Sequence, residues 1–237
     1  MHRVAIPEEV LQRVATRGPR PQILDDLEPT RTAHLVVDLQ HGYMEEGAPR
    51  ECAMAREIVP QVNAISAAVR DAGGVNVFLR MNLDTAMTAS WRTYLERLGD
   101  AAARERTIAA FTPGSPYFEL WDGLDVAESD QVVDKTRFSP FVTGASALPE
   151  LLQQRAVDTV IVSGTVTNVC CESTARDAMQ LGYRVLFAAD ATATHSDAVH
   201  NATLANLLLS FADVQSAEEI VTALRRPSRV IAPAVAG

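Results

Sequence analysis

Three residues of types that carry out covalent chemistry fall where predicted strands end: an acid, an amine and a thiol. Asp38 lies within VVDLQ, Lys135 ends QVVDK, and Cys170 follows TVIVSG and a short loop and opens a helix. The carboxyl ends of parallel strands meet at one edge of a sheet, where ligands bind. A helix N-terminus lowers the pKa of a thiol, and a nearby ammonium lowers it further. The placement therefore predicts a Cys–Asp–Lys site for nucleophilic catalysis.

Each of these three residues also has a simpler interpretation. Asp38 could cap a backbone turn, and Lys135 could be a solvated lysine beside Asp134. Cys170 could be a small apolar residue of the core, as free cysteines often are. Their joint position at one predicted sheet edge is what favours a catalytic site.

Strand and helix patterns alternate along most of the chain. Short apolar runs rich in Val and Leu predict strands buried on both faces, and apolar residues three and four apart predict helices. The predicted strands are 33–40, 75–80, 131–135, 159–164, 184–190 and 213–215. The predicted helices lie near 58–69, 146–157, 170–181 and 196–212, and from Ser216, where Ser216 and Glu219 match a capping box. This alternation predicts a three-layer α/β/α, doubly wound domain with a mainly parallel sheet.

The chain divides by pattern into an arm, a domain and a tail. We predict an N-terminal arm over 1–30 with one short helix, a single domain over 31–225, and a C-terminal tail over 226–237. Residues 81–125 interrupt the alternation and hold both tryptophans and several turn signals. Such an excursion is expected to form loops and short helices over the sheet edge or a pocket.

The composition excludes several classes of protein. The 237 residues include 21 Lys and Arg against 30 Asp and Glu, a net charge of −9, which disfavours binding to a nucleic-acid backbone. An apolar fraction of 47% and this length suffice for a core without metal or disulfide staples. Three cysteines, two of them adjacent, do not form a secreted disulfide framework. With no apolar leader and no segment long enough to span a bilayer, these features predict a cytoplasmic enzyme without membrane or nucleic-acid partners.

Three blocks of the sequence resemble the isochorismatase-like cysteine hydrolases, the superfamily that includes nicotinamidases, N-carbamoylsarcosine amidohydrolase and ureidoacrylate amidohydrolase. The blocks are VVDLQ with Asp38, VVDKTRFSPF with Lys135, and GTVTNVCCESTARDAMQLGY with Cys170. The resemblance runs from about residue 33 to about 215, and the last block is the most specific. It implies the isochorismatase-like, Rossmann-like fold. Cys170 matches the nucleophile position, whereas Cys171 falls where the family usually has Val, which implies a packing role.

The resemblance implies cleavage of a C–N bond in a small amide, ureido or N-carbamoyl compound through a thioester. Cys170 would attack the carbonyl carbon, and Asp38 would move the proton to the leaving nitrogen and later activate water. Lys135 would hold Asp38 and stabilise the thiolate. The backbone N–H groups of Val166 and Cys170 would bind the oxyanion, with a cis peptide between Thr165 and Val166. The resemblance implies no cofactor and no metal ion, and it leads us to expect a homo-oligomer.

The nearest ureidoacrylate- and carbamoyl-type motifs suggest the substrate class, but the substrate contacts stay open. Candidate contacts are Gln40, Tyr43, Trp91, Arg137, Phe138 and Asn168. Tyr43 could instead belong to the core, and the nearby His41 could lie on the surface. Asn168 could orient its loop, and Arg137 could be solvated rather than paired with a substrate carboxylate. Trp91, with Tyr94, could belong to an oligomer contact.

Departures from the family pattern disfavour several competing functions. Nicotinamidase-type members carry an Asp-x-His metal site after the first strand, and this chain has no histidine between Gly73 and His195, which disfavours nicotinamide. Isochorismatases proper cleave a vinyl ether and lack the cysteine, so Cys170 disfavours that reaction. His195 and His200 are five residues apart and fall on different helix faces, which disfavours a metal site or Cys–His dyad. Vinyl ether hydrolysis and a catalytically inert binding or scaffold protein stay as alternatives.

Overall fold

The computed structural model describes residues 1–16, 18 and 22–226, so the predicted tail beyond Arg226 lies outside the described residues. The strands are β1 Thr32–Val37, β2 Val75–Met81, β3 Gln131–Lys135, β4 Thr159–Thr165, β5 Arg184–Ala193 and β6 Asp213–Gln215. The helices are α1 Glu8–Ala15, α2 His41–Met44, α3 Val59–Asp71, α4 Thr85–Ser90, α5 Arg92–Leu95, α6 Ala101–Ala110, α7 Leu148–Gln154, α8 Glu172–Gln180, α9 Asp197–Ser210 and α10 Ala217–Leu224.

Within the described part of the chain, six parallel strands form one sheet in the order β3-β2-β1-β4-β5-β6. The chain moves outward from β1 through β2 to β3 and then returns to place β4 on the other side of β1. The direction of winding therefore reverses between β1 and β4, and the loops after these two strands diverge to leave a crevice at their carboxyl ends. The predicted doubly wound parallel sheet is confirmed.

The two faces of the sheet are covered because successive strand residues point to opposite sides. On β1, Val36 packs with α3 and α10, whereas its neighbours Leu35 and Val37 pack with α7, α8 and α9. The apolar residues that recur at helical spacing in the sequence therefore lie on the helix faces that pack against the sheet. None of the helices among the described residues combines the length and the apolar character that a bilayer crossing requires.

Boundaries differ from the sequence-based prediction where local backbone geometry intervenes. Strand β1 ends at Val37 rather than at residue 40, because Asp38 takes a left-handed backbone with φ 52°. The helix predicted from residue 170 begins at Glu172, after a wide π turn over Thr167–Cys171. The capping box of α10 is present, with Ser216 and Glu219 bonded to each other's backbone N–H.

Gly164 allows the closest approach between the two central strands. It has φ 109°, and a Cβ placed there would lie 2.1 Å from the carbonyl oxygen of Val37. A side chain is therefore excluded by backbone contact as well as by the positive φ. This close approach brings the loop after β4 against the end of β1, so that Asp38 and Cys170 share the crevice.

The excursion over 81–125 forms the short helices α4, α5 and α6 and a 3-10 turn over Pro116–Phe118. An apolar cluster beneath it, which includes Tyr43, Met81 and Phe111, joins it to the carboxyl end of β2. The excursion therefore covers the edge of the sheet at which the predicted site residues lie.

Candidate functional site

Asp38 and Lys135 form an ion pair that is closed off from solvent. Lys135 Nζ donates to Asp38 Oδ2 at 2.8 Å, and both side chains are 0% exposed. Although β2 separates their strands, the lysine crosses it by contacting Met81 Sδ at 3.6 Å, and it also donates to the carbonyl of Arg137 at 3.1 Å. Burial acts to lower the pKa of Lys135, but the Asp38 carboxylate and the Cys170 sulfur outweigh it, so the pKa is raised. The lysine is thus held as an ammonium ion.

The Asp38 carboxylate keeps one oxygen outside this pair. Its Oδ1 makes no hydrogen bond of ordinary geometry within the described residues. Burial raises the pKa of Asp38, and the charge of Lys135 and the Cys170 thiol act against this rise. A buried carboxylate with a free oxygen and a raised pKa is suited to accept and release a proton.

Cys170 is buried, at 3% exposure, and interacts electrostatically with both members of the pair. Burial raises the pKa of its thiol, the Asp38 charge raises it further, and Lys135 lowers it by less. The ammonium of Lys135 acts in the expected direction, but burial and the Asp38 charge outweigh it, so the expected net lowering of the Cys170 pKa is wrong. Because the Asp38–Lys135 pair is already neutral, a thiolate would add a net negative charge in a buried space, so the resting group is a thiol.

The loop that carries Cys170 turns sharply after β4. The Thr165–Val166 peptide is cis, as the family resemblance implied. The carbonyl of Val166 then accepts hydrogen bonds from the N–H groups of Val169 at 2.9 Å and Cys171 at 3.3 Å. These two donors flank Cys170 in the sequence. The adjacent Cys171 is fully buried with its Sγ 3.9 Å from the carbonyl of Ser163, which is the packing position that the resemblance implied.

Gln40 braces the site and does not offer its amide to a substrate. Its Nε2 donates to the carbonyls of Met81 at 3.1 Å and Phe118 at 2.8 Å, and its Oε1 accepts from Met81 N–H at 2.7 Å. The side chain is 0% exposed. Its predicted role as a substrate contact is therefore corrected: Gln40 ties the loop after β1 to the end of β2 and to the excursion, a long-range pairing that sequence does not reveal.

Four aromatic residues lie beside the triad of Asp38, Lys135 and Cys170. Trp91 stacks on Tyr94 with ring centroids 4.4 Å apart, and Phe138 packs edge-on against both rings at 4.8 and 5.3 Å. Burial raises the pKa of Tyr94 to about 12 and that of Tyr43 well above its ordinary value, and both phenols interact electrostatically with Asp38 and Cys170. The structure therefore brings Tyr43, Trp91 and Phe138 together with Tyr94 as a neutral aromatic wall near the thiol.

Two other predicted contacts have structural partners. Arg137 donates to Ser90 Oγ at 3.0 Å and to the carbonyl of Thr136 at 2.7 Å, and its guanidinium lies 4.9 Å from the Trp91 ring centroid. It thus fastens the excursion to the end of β3. Asn168 is exposed and accepts from Thr194 Oγ1 at 2.7 Å, which matches the alternative that it orients its loop.

Arg50 is a further charged residue near the aromatic wall, and no sequence motif points to it. Its charge opposes the burial that raises the pKa of Tyr43 and Tyr94, so it lies near both phenols. It is exposed, and its guanidinium makes no ion pair or hydrogen bond within residues 1–16, 18 and 22–226. The loop that carries it folds back through Arg50 N–H to the carbonyl of Gly42 at 3.2 Å, a contact without a sequence signal.

The histidines do not join this site directly. His41 lies near Glu45 and Asp122 and packs against Trp121. Among the described residues, no three His, Cys, Asp or Glu side chains come together as a metal-binding group.

The chain is similar to known proteins of one hydrolase family. An isochorismatase-domain family model matches residues 32–219. The ureidoacrylate amidohydrolase RutB of Variovorax paradoxus is 30% identical over 239 residues, covering 92% of this chain and 91% of that protein. Nicotinamidase 3 of Arabidopsis thaliana is 46% identical over 87 residues, covering 37% of this chain and 43% of that protein. Its similarity is thus confined to a part of each chain.

A solved structure is similar over most of its length. A cysteine hydrolase from Pseudomonas syringae pv. phaseolicola 1448A superimposes with a TM-score of 0.76 at 28% identity. The match covers 86% of this chain and 97% of that one. The family model, separately, spans the whole sheet and the loops that carry Asp38, Lys135 and Cys170, from β1 to the start of α10.

Proposed function

Because the chain belongs to the isochorismatase family of hydrolases, we propose that it hydrolyses a C–N bond of a small amide, ureido or N-carbamoyl compound. The observation that carries this proposal is the buried Asp38–Lys135 pair with the Cys170 thiol against it. The similarity to a ureidoacrylate amidohydrolase over nine-tenths of the chain supports the same substrate class.

In the acylation half of the reaction, Cys170 Sγ attacks the substrate carbonyl carbon as its proton passes to Asp38 Oδ1. The S–C bond forms, a tetrahedral oxyanion follows, and the C–N bond breaks as Asp38 returns the proton to the leaving nitrogen. The raised pKa of Asp38 suits this transfer, because a base too acidic would not accept the thiol proton. Lys135 keeps the carboxylate in place and offsets the negative charge that develops on sulfur.

In the deacylation half, water replaces the departed amine or ammonia. Asp38 accepts a proton from this water as the water oxygen attacks the thioester carbon. The C–S bond then breaks to release the acid. The proton then returns from Asp38 to the sulfur. The same carboxylate therefore serves both halves, and no group outside the triad needs to change its protonation.

The oxyanion of both tetrahedral intermediates needs fixed donors, each worth about 3–4 kcal/mol where such a donor has been removed. We assign this role to the backbone N–H groups of Val166 and Cys170. The turn supports the assignment, since the Val166 carbonyl accepts the N–H groups on either side of Cys170. A cysteine at this position also favours covalent amide chemistry over vinyl ether hydrolysis.

Covalent catalysis is tested by looking for the acyl group on the protein. We expect wild-type protein to release amine or ammonia from members of a panel of small amides, ureido acids and N-carbamoyl acids. Rapid quenching and mass spectrometry should then find the acyl mass on the peptide that holds Cys170. Cys171→Ala is the matched control and should retain both signals, because Cys171 is a packing residue. Equal turnover by Cys170→Ala, or no turnover on the whole panel, would contradict the proposal.

The guanidinium of Arg50, which has no ion-pair or hydrogen-bond partner among the described residues, predicts a preference for acidic substrates. A carboxylate bound there would gain a charge-assisted hydrogen bond, so Arg50→Gln should raise the KM for an N-carbamoyl amino acid about tenfold. The kcat should change little, since a group that only binds the substrate carboxylate does so equally in the ground state and the transition state. Initial-rate kinetics with the acid and with its neutral amide analogue measure this preference.

The control for Arg50 is an arginine on the excursion with a partner of its own. Arg92 pairs with Glu96 on an exposed surface, and Arg92→Gln should leave both KM values unchanged. An equal rise in KM for the acid and its neutral analogue in Arg50→Gln would show that the arginine does not bind the carboxylate.

A further inference from the structure

The polar side chains of the loop that carries the nucleophile all bond to one neighbouring segment. Thr165 Oγ1 donates to the carbonyl of Ala193 at 3.2 Å, and Asn168 Oδ1 accepts from Thr194 Oγ1 at 2.7 Å. Thr167 Oγ1 lies 3.1 Å from His200 Nδ1. We call residues 193–200 the support segment, because the loop over 165–170 has these three side-chain attachments to it.

His2, far away in the sequence, is bound to the same support segment. Its ring is buried, at 5% exposure, and lies 2.8 Å from Asp197 Oδ1 through Nδ1. With Nδ1 donating to this carboxylate, Nε2 accepts the N–H of Thr194 at 3.0 Å. The ring also stacks on that of His200, with centroids 4.3 Å apart and an angle of 15°.

Two chains of contact therefore run from His2 to the nucleophile loop. One passes through Thr194, whose backbone bonds to His2 and whose hydroxyl bonds to Asn168. The other passes through His200, which stacks on His2 and contacts the hydroxyl of Thr167. Burial lowers the pKa of His200 to about 4, which keeps this ring neutral beside His2 and Thr167.

We propose that His2 is a positioning residue for catalysis: by fixing the support segment, it fixes the loop that presents Cys170 and the oxyanion N–H groups. This inference rests on the proposed function for its link to catalysis. The loop holds the attacking sulfur and the oxyanion donors, whereas the aromatic wall belongs to other elements. Loss of His2 should therefore lower kcat and leave KM nearly unchanged, since small misplacement of reacting groups is costly.

The main test compares His2→Ala with His2→Phe, which keeps a ring for stacking but removes both ring nitrogens. We expect kcat to fall about tenfold in His2→Ala with KM within about twofold, and to recover in part when millimolar imidazole occupies the space left by the ring. His2→Phe should lose kcat without recovery, because its ring fills that space. Arg3→Ala, an exposed neighbour, is the matched control and should behave as wild type.

Alkylation of Cys170 by iodoacetamide provides a readout that does not need turnover. We expect the pH profile of alkylation in His2→Ala to shift from that of wild type and to return toward it with imidazole. If wild type turns over no substrate but the alkylation profile shifts as stated, the proposed function fails and the positioning role stands. The role of His2 would be overturned if kcat and the alkylation profile were unchanged in His2→Ala. It would also be overturned if His2→Ala lost as much kcat as His2→Phe and imidazole did not restore it.

Discussion

Asp38→Asn is expected to abolish turnover and, at the same time, to make Cys170 more reactive toward iodoacetamide. Turnover should fall by about 10³-fold, because the amide cannot take the thiol proton or activate water. The thiol itself should become more acidic, because the Asp38 charge raises the pKa of Cys170 and the Lys135 charge lowers it. Removing the carboxylate charge leaves the ammonium as the nearest charged group, and the thiolate can then pair with it.

Alkylation rates across pH, followed by mass spectrometry of the Cys170 peptide, measure this opposition between the two charges. The apparent pKa of alkylation should be lower in Asp38→Asn than in wild type and higher in Lys135→Met. Cys171 and Cys52 are buried, and burial raises the pKa of both thiols, so they serve as internal references. A slower alkylation of Cys170 in Asp38→Asn than in wild type would contradict the electrostatic account of the site.

Lys135→Met is expected to lower the free energy of unfolding by about 3–5 kcal/mol, in addition to removing activity. The substitution keeps an unbranched side chain of similar length but leaves the 0% exposed Asp38 without its partner. An unpaired buried charge is costly, and most of the loss comes from that carboxylate rather than from the missing lysine. The double variant Asp38→Asn with Lys135→Met should therefore recover a large part of the stability.

The loss in Lys135→Met should depend on pH with a definite sign. Burial raises the pKa of Asp38 above the ordinary value of 3.8, and the substitution removes the charge that opposes this rise. The folded state therefore holds the proton over a range in which the unfolded state has released it. The stability that protonated Asp38 contributes is fully present below the pKa that Asp38 has in the unfolded chain. It is lost as the pH rises toward and through the pKa that Asp38 has in the folded protein.

Urea unfolding at about pH 5 and about pH 8 checks this dependence. The difference between wild type and Lys135→Met should be smaller at the lower pH. Arg31→Met provides a surface control, because its pair with Asp158 is exposed and should contribute less than about 1 kcal/mol. A loss that is the same at both pH values, or no recovery in the double variant, would show that Asp38 is not the group left unpaired.

The strands and the reactive residues at their ends were predictable from the sequence, because the signals for them are local. Apolar runs in VVDLQ, QVVDK and TVIVSG mark buried parallel strands, and in a parallel sheet their ends must share an edge. That constraint brings Asp38, Lys135 and Cys170 to one side before any contact is known. The capping box at Ser216 is likewise encoded within a few residues.

Tertiary contacts decided the rest, because they join residues that local patterns do not relate. The direction of the shift in the Cys170 thiol pKa depends on burial and on the charges of Asp38 and Lys135, which come from separate strands. The amide of Gln40, predicted to contact substrate, instead donates to the carbonyls of Met81 and Phe118, which are 41 and 78 residues away in the sequence. The charge of Arg50 acts on Tyr43 and Tyr94, and His2 meets Asp197 across 195 residues. Periodicity can state which face of an element is buried, but only the packed chain determines which side chains meet there and how their charges interact.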